Sequence, residues 1–183
     1  MSIIFKIKNS AKELSSVLSI SIGAMLLAMR VVLGLFANFT LSFSPFAKIS
    51  LNFIPIVIAA YILGPVPCAI ISALGDIISI FISNPTAVAI NPAITLTCLL
   101  EGFLYGIILY KCEIKYKNII ISKILVLIIC NLLMTTFILA FLYSTPFYIV
   151  LINRVLVLVP VSILEVFIDY YMLKLTDKIY KRK

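Results

Sequence analysis

Histidine is missing from this chain of 183 residues, and only 7 residues are acidic. Without histidine the chain cannot build the Ser–His or Cys–His arrangements of hydrolases, nor a zinc site of the HExxH type. It has no G-x-x-x-x-G-K-[ST] loop for nucleotide phosphates, so we do not expect it to hydrolyse ATP by itself. Its 4 cysteines stand singly, without C-x-x-C spacing. They are typical of small apolar residues, so the sequence predicts no metal site and no cofactor.

Apolar side chains are what the chain has in excess, since they make up 63% of it and the mean hydropathy is +1.23. Soluble domains hold about 45–50% apolar residues. The apolar runs reach or approach the ~20 residues needed to cross a bilayer. Proline and glycine divide these runs into six predicted spans, at 14–37, 50–64, 66–83, 91–110, 119–143 and 147–173. We therefore predict an all-α integral membrane protein, in which residues 1–183 form a single transmembrane domain, a bundle of six helices.

Lysine and arginine predict how this bundle is oriented. Twelve of the 15 basic residues flank one side of the predicted spans: Lys6, Lys8, Lys12, Lys111, Lys115, Lys117, Lys123, Lys174, Lys178, Lys181, Arg182 and Lys183. The loops of the other side hold only Lys48. Because basic loops stay inside the cell, both termini and the loop 111–123 are predicted to be cytoplasmic, in a multi-pass membrane protein. The net charge of +8 then reflects topology, and we expect membrane lipid but no nucleic acid as a partner.

Several charged residues fall inside the predicted spans, where each would cost roughly 2.5–3.5 kcal/mol if it faced lipid. They are Arg30, Asp76, Glu101, Arg154, Glu165 and Asp169. Arg30 and Asp76 come out at similar depth, so one interpretation is a structural ion pair between the first and third helices. Arg154 and Lys48 then have no obvious anionic partner in the outer half of the bundle. Such surplus cations favour a site for an anionic solute.

Polar amides and small residues give two further signals. Asn52, Asn91, Asn131 and Thr135 lie at or near the outer ends of predicted helices, where amides could read a heteroaromatic ring. Asn91 precedes proline and is equally typical of a turn or cap, whereas Asn131 lies inside an apolar span. Ala24 and Ala28 form a small-xxx-small pair that lets another helix approach closely. Ala69 and Ala73 repeat that spacing, so packing within the chain is an alternative.

Seven ordered pieces of the chain carry a resemblance to a known family. They are 24–33 (AMLLAMRVVL), 48–55 (KISLNFIP), 63–65 (LGP), 75–76 (GD), 102–106 (GFLYG), 131–133 (NLL) and 154–160 (RVLVLVP). With this order and spacing, the region from about 18 to 173 resembles the folate-family substrate-binding (S) components of energy-coupling factor (ECF) vitamin transporters. The resemblance implies a six-helix bundle with both termini inside and a vitamin cavity open to the outside.

The resemblance also implies partners and site residues. The face that carries Ala24 and Ala28 would dock onto a shared ECF transmembrane subunit, which two cytoplasmic ATPase subunits drive. Folate or a related anionic pterin would be captured, and the two carboxylates of its glutamate tail suit Arg30, Lys48 and Arg154. The amide side chains and Thr135, where the family tends to have a second Asn, would serve the pterin. Candidate stacking residues are Phe39, Phe43, Phe46 and Tyr143.

Other interpretations stay open at this point. The cargo of an S component could instead be pantothenate, riboflavin or a queuosine precursor. An intramembrane enzyme would use Asp76, Glu101 and Glu165 as catalytic carboxylates, but these lie on three predicted helices at different depths, so we do not expect an enzyme. A third alternative is a membrane subunit that serves only assembly.

Overall fold

The computed structural model describes residues 6–8, 10, 16–40, 51–83, 91–112 and 114–180. Within these ranges every regular element is helical, which confirms the all-α fold class. In chain order the elements are α1 (Val17–Thr40), α2 (Phe53–Ile62), α3 (Pro65–Ser83), α4 (Pro92–Leu109), α5 (Tyr116–Val126), a π-helical segment (Leu127–Thr135), α6 (Thr136–Leu142) and α7 (Phe147–Tyr180). The element α5, the π-helical segment and α6 follow one another without a break.

Five of the described helical stretches are long and apolar enough to cross a bilayer, and α2 is not one of them. A helix of 10 residues rises only about 15 Å, half of the roughly 30 Å hydrocarbon core. The second predicted span, 50–64, therefore contains a helix that reaches about halfway across. Seven of the ten residues of α2 are buried, so this short helix is enclosed by its longer neighbours.

Two close approaches explain how α2, α3 and α4 fit together. Gly64 forms the turn between α2 and α3 with a φ of +87°, and a Cβ there would lie 2.7 Å from the hydroxyl oxygen of Ser10. A side chain is therefore excluded both by backbone conformation and by space. Gly106 of α4 lies against the backbone of Pro65, where a Cβ would clash. These glycines bring the start of α3 directly onto α4.

The fifth predicted span is interrupted by the π-helical segment. Its hydrogen bonds skip one residue more than those of an α-helix, and the hydroxyl of Thr135 donates to the carbonyl of Cys130 at 2.9 Å. The hydroxyl of Thr136 likewise donates to the carbonyl of Asn131 at 3.3 Å. Short π-helical segments are rare and often occur at functional sites. Here the segment contains Asn131, the amide predicted to lie inside an apolar span.

One end of the bundle gathers chain ends and turns that are far apart in sequence. The ammonium of Lys6 donates to the carbonyl of Ile107 at 2.8 Å, and the hydroxyl of Tyr61 donates to Asp177 at 2.7 Å. We call this the basic end, because Lys111, Lys115, Lys117, Lys174 and Lys178 belong to it. Lys123 was predicted to lie in the same loop, which is wrong: it lies in the last turn of α5 and is buried.

Candidate ligand-binding cavity

A polar cavity of about 230 Å³ lies between the helices of the bundle. Every helical element described above except α6 contributes to its lining, and so does Asn52, the residue before α2. The lining residues are Arg30, Asn52, Phe53, Ile56, Asp76, Cys98, Glu101, Lys123, Leu127, Asn131, Leu158, Val161 and Glu165. The short helix α2 matters for this geometry, because its N-terminal end brings Asn52 into the lining. Three of the predicted site residues, Arg30, Asn52 and Asn131, are thereby brought together.

The wall of the cavity formed by α1 and by Asn52 has unfilled hydrogen-bonding capacity. The guanidinium of Arg30 is buried, and its Nη1 has no hydrogen-bond partner among the described residues. The amide oxygen of Asn52 is buried and likewise lacks a partner. A buried polar atom without a partner costs about 1–3 kcal/mol, more if it is charged. Arg30 and Asn52 thus both line the cavity, and each holds a buried atom beside it that a polar ligand could satisfy.

The part of the lining that comes from α5 and α7 contains an ion pair. The Nζ of Lys123 lies 2.6 Å from Oε2 of Glu165, a charge-assisted contact between the two helices. The same ammonium lies 5.0 Å from the centre of the Phe53 ring and 5.9 Å from that of Tyr105, within the range of cation–π attraction. This ion pair ties α5 to α7 and closes that side of the cavity.

Sequence reasoning missed Lys123 as a cavity residue. The predicted span began at 119, only four residues before it, so Lys123 was counted among the cations that flank the cytoplasmic side. The signal that could have found it was the acidic residue Glu165 in the last predicted span, which needs a cation from a neighbouring helix. The predicted pair, Arg30 with Asp76, is wrong. Asp76 accepts a hydrogen bond from the hydroxyl of Thr95 at 2.8 Å, and the part of the chain that the structure describes contains no ion pair between Asp76 and Arg30.

The charge of the described lining differs from the predicted surplus of cations. Arg30 and Lys123 are the positive residues of the lining, and Asp76, Glu101 and Glu165 are the negative ones. The three carboxylates that we expected to be dispersed thus share one cavity. The described residues nevertheless contain no group of three acidic, histidine or cysteine side chains placed to hold a metal ion.

The remaining predicted site residues lie elsewhere. Lys48, Phe39, Phe43 and Phe46 fall outside the residues whose side chains the structure describes. Arg154 is buried in α7 but does not line this cavity. Asn91 caps α4, with its side-chain oxygen accepting from the backbone N–H of Ala93 at 3.0 Å. Thr135 is not part of the lining, and its hydroxyl is bonded within the π-helical segment.

The two small-xxx-small pairs differ in exposure. Ala24 and Ala28 are both exposed on α1, one helical turn apart on the same face. Ala69 is buried and Ala73 is partly buried on α3. The second pair therefore packs within the chain, whereas the first is left on the surface.

A family model for the substrate-specific component of ECF transporters matches residues 18–175. The chain belongs to this family. A curated relative, the folate transporter FolT of Clostridium novyi (strain NT), is 24% identical over 113 residues, which are 62% of this chain and 63% of that protein. The matched region therefore spans less than two thirds of the relative's length.

A solved structure is also similar to this S component. The crystal structure of FolT bound with folic acid aligns with a TM-score of 0.76 and 28% sequence identity, and the alignment covers 86% of this chain and 93% of that chain. Family membership and the long apolar helices make this S component a multi-pass membrane protein. The family consists of transporter subunits rather than enzymes.

Proposed function

We propose that this S component binds folate, or a related anionic pterin, for uptake by an ECF importer of the bacterial plasma membrane. The observation that carries the proposal is the cavity wall where Arg30 and Asn52 hold an unsatisfied donor and an unsatisfied acceptor. The similarity to FolT bound with folic acid supports this choice of cargo. Pantothenate, riboflavin and a queuosine precursor remain alternative cargoes for the same cavity.

The shape and charge of the cavity favour the ring end of folate. Its volume of about 230 Å³ is below the roughly 300–1,000 Å³ typical of pockets for whole drug-sized ligands. The carboxylates of Asp76 and Glu101 can accept from the amino and ring N–H groups of a pterin, and Arg30 can donate to its carbonyl oxygen. The glutamate tail would be repelled by the acidic lining. We therefore assign the ring to this cavity and the tail to cations outside the described lining, with Lys48 as the candidate.

Isothermal titration calorimetry on the detergent-purified chain tests both the cargo and its orientation. We expect folate to bind without any ATPase present. Pteroate, which lacks the glutamate, should retain more of the affinity than p-aminobenzoylglutamate, which lacks the ring. Absence of both heat and thermal protection with folate would refute the cargo, and a thermal-shift screen over pantothenate, riboflavin and queuosine precursors would then be the next step. The reverse ranking of the two fragments would refute the orientation alone.

Partner docking is proposed for the exposed face of α1 around Ala24 and Ala28, where a shared transmembrane subunit driven by two ATPase subunits would approach. We expect the double substitution Ala24→Trp and Ala28→Trp to block recovery of the complex in a pull-down, because two indoles keep the helices apart, while folate binding is unchanged. Leu164→Trp, on an exposed position of α7, is the matched control. Recovery of an intact complex from the double variant would count against this face.

The basic end is proposed to be cytoplasmic, so that both termini lie inside the cell and the candidate cavity is filled from outside. Support comes from the gathering of Lys111, Lys115, Lys117, Lys174 and Lys178 at that end, since cytoplasmic loops are enriched in lysine. A membrane-impermeant thiol reagent should fail to label Lys178→Cys in intact cells. Labelling without permeabilisation would reverse the orientation.

A further inference from the structure

A second polar pocket lies at the basic end, away from the candidate cavity. It has a volume of about 450 Å³ and is lined in part by Lys111, which follows α4, and by Lys174 of α7. Asp177 also lines it and accepts a hydrogen bond from Tyr61 at 2.7 Å. Two lysines from different elements and one aspartate therefore give the pocket a net positive formal charge.

An apolar groove of about 310 Å³ runs between α5 and α7. Branched and aromatic side chains line it, among them Ile120, Ile124, Ile163 and Phe167. Each of these four side chains is at least 40% exposed. The groove thus opens sideways, in the direction where a membrane protein meets lipid, and its lining can hold a hydrocarbon chain.

A pair of tyrosines joins the polar pocket to the apolar groove. Tyr170 lines the pocket and Tyr116 lines the groove, and their rings stack with centroids 3.7 Å apart and an interplanar angle of 16°. Along α7 the groove residues 162–167 come directly before the pocket residues 170–177. The polar pocket is therefore at the end of the bundle and the groove extends from it towards the middle.

We propose that the pocket and the groove together form a binding site for one anionic phospholipid. The phosphate of the headgroup lies between Lys111 and Lys174, and one acyl chain lies in the groove between α5 and α7. Charge complementarity selects the headgroup, because basic pockets between membrane helices attract anionic lipids. A soluble anion would occupy only the pocket, and an apolar partner helix would occupy only the groove. An anionic phospholipid has a headgroup for the positively charged pocket and an acyl chain for the groove.

The test measures thermal unfolding of the delipidated full chain in detergent as lipid is added. The probes are phosphatidylglycerol, zwitterionic phosphatidylcholine with the same acyl chains, and inorganic phosphate. Phosphatidylglycerol should raise the unfolding temperature at concentrations where the other two do not. Lys174→Gln should weaken this effect roughly fivefold in apparent affinity, as expected for one lysine near an anionic headgroup. Lys178→Gln, an exposed position on the same helix outside the pocket, is the matched control.

A second variant tests the groove. Ile163→Trp fills part of it and should weaken the response to phosphatidylglycerol without altering the unfolding temperature of the lipid-free chain. Equal stabilisation by phosphatidylcholine, or equal losses in the Lys174 and Lys178 variants, would overturn the charge-selective site. Full stabilisation by inorganic phosphate alone would overturn the lipid in favour of a free anion.

Discussion

The two walls of the central cavity solve the problem of buried charge in different ways. On the wall of α1, a guanidinium nitrogen of Arg30 and the amide oxygen of Asn52 have no partner within the described chain. On the wall of α5 and α7, the charge of Lys123 is matched by Glu165 at 2.6 Å. Unsatisfied buried groups destabilise the empty protein, whereas a closed ion pair holds helices in register. The first wall is therefore built to receive a ligand and the second to hold the bundle together.

The largest effect is expected when the second wall loses one charge. Glu165→Leu removes the carboxylate that contacts the buried ammonium of Lys123, and removing one member of a buried pair typically costs about 3–5 kcal/mol of unfolding free energy. The change should appear as a lower unfolding temperature in detergent without ligand.

The double substitution Lys123→Met and Glu165→Leu is the matched control. It removes both charges, so it should recover much of the loss, because contacting residues give non-additive changes. If the effects of Lys123→Met and Glu165→Leu simply add, the ion pair does not hold the two helices together.

A smaller effect, confined to binding, is expected on the first wall. Arg30→Met should lower folate affinity by roughly 10- to 100-fold, since a hydrogen bond from a charged donor contributes about 1.5–3 kcal/mol. Calorimetry measures the loss. The unfolding temperature of the empty protein should stay the same or rise, because an unsatisfied charge has been removed.

Arg30→Lys keeps the charge but not the planar fork of donors. Its affinity for folate should therefore lie between those of the parent protein and Arg30→Met. A variant Arg30→Met that binds folate as tightly as the parent protein would show that this wall does not contact the ligand.

The smallest effect is expected at a predicted site residue that the structure assigns to neither wall. Asn91→Ala removes the cap of α4 and should cost about 1 kcal/mol of stability. Asn91→Ser, which retains a capping oxygen, should cost less. Folate affinity should be unchanged in both, and a calorimetric loss in Asn91→Ala alone would return this residue to the binding site.

The sequence predicted where the helices occur, but it did not predict which side of each helix faces the cavity. Long apolar runs interrupted by proline and glycine predict helices directly, because a bilayer requires every backbone hydrogen bond to be made within the segment. The direction that a side chain faces is harder to predict. Apolar residues cover all sides of α7, so periodicity does not reveal that Glu165 faces the cavity while Arg154 does not.

Two further features depended on tertiary structure. α5 begins three residues earlier than the predicted span, and Lys123, which was counted among the cytoplasmic cations, is buried in the bundle. The pairing of Lys123 with Glu165, instead of Arg30 with Asp76, depends on how α5 and α7 are rotated about their axes. Neither local propensity nor hydropathy determines that rotation.

The π-helical segment has a consequence for how related chains can vary in length. In residues 127–135 the hydrogen bonds span five residues instead of the four of an α-helix, which is the pattern that inserting one residue into an α-helix produces. Deleting a single residue there would let the backbone relax into an uninterrupted α-helix, but everything downstream in that span would turn by about 100°. Phe137 and Phe141, now directed outward, would swing towards the neighbouring helices. A one-residue deletion at this point in a related chain would therefore rotate the downstream part of the helix, and would not only shorten it.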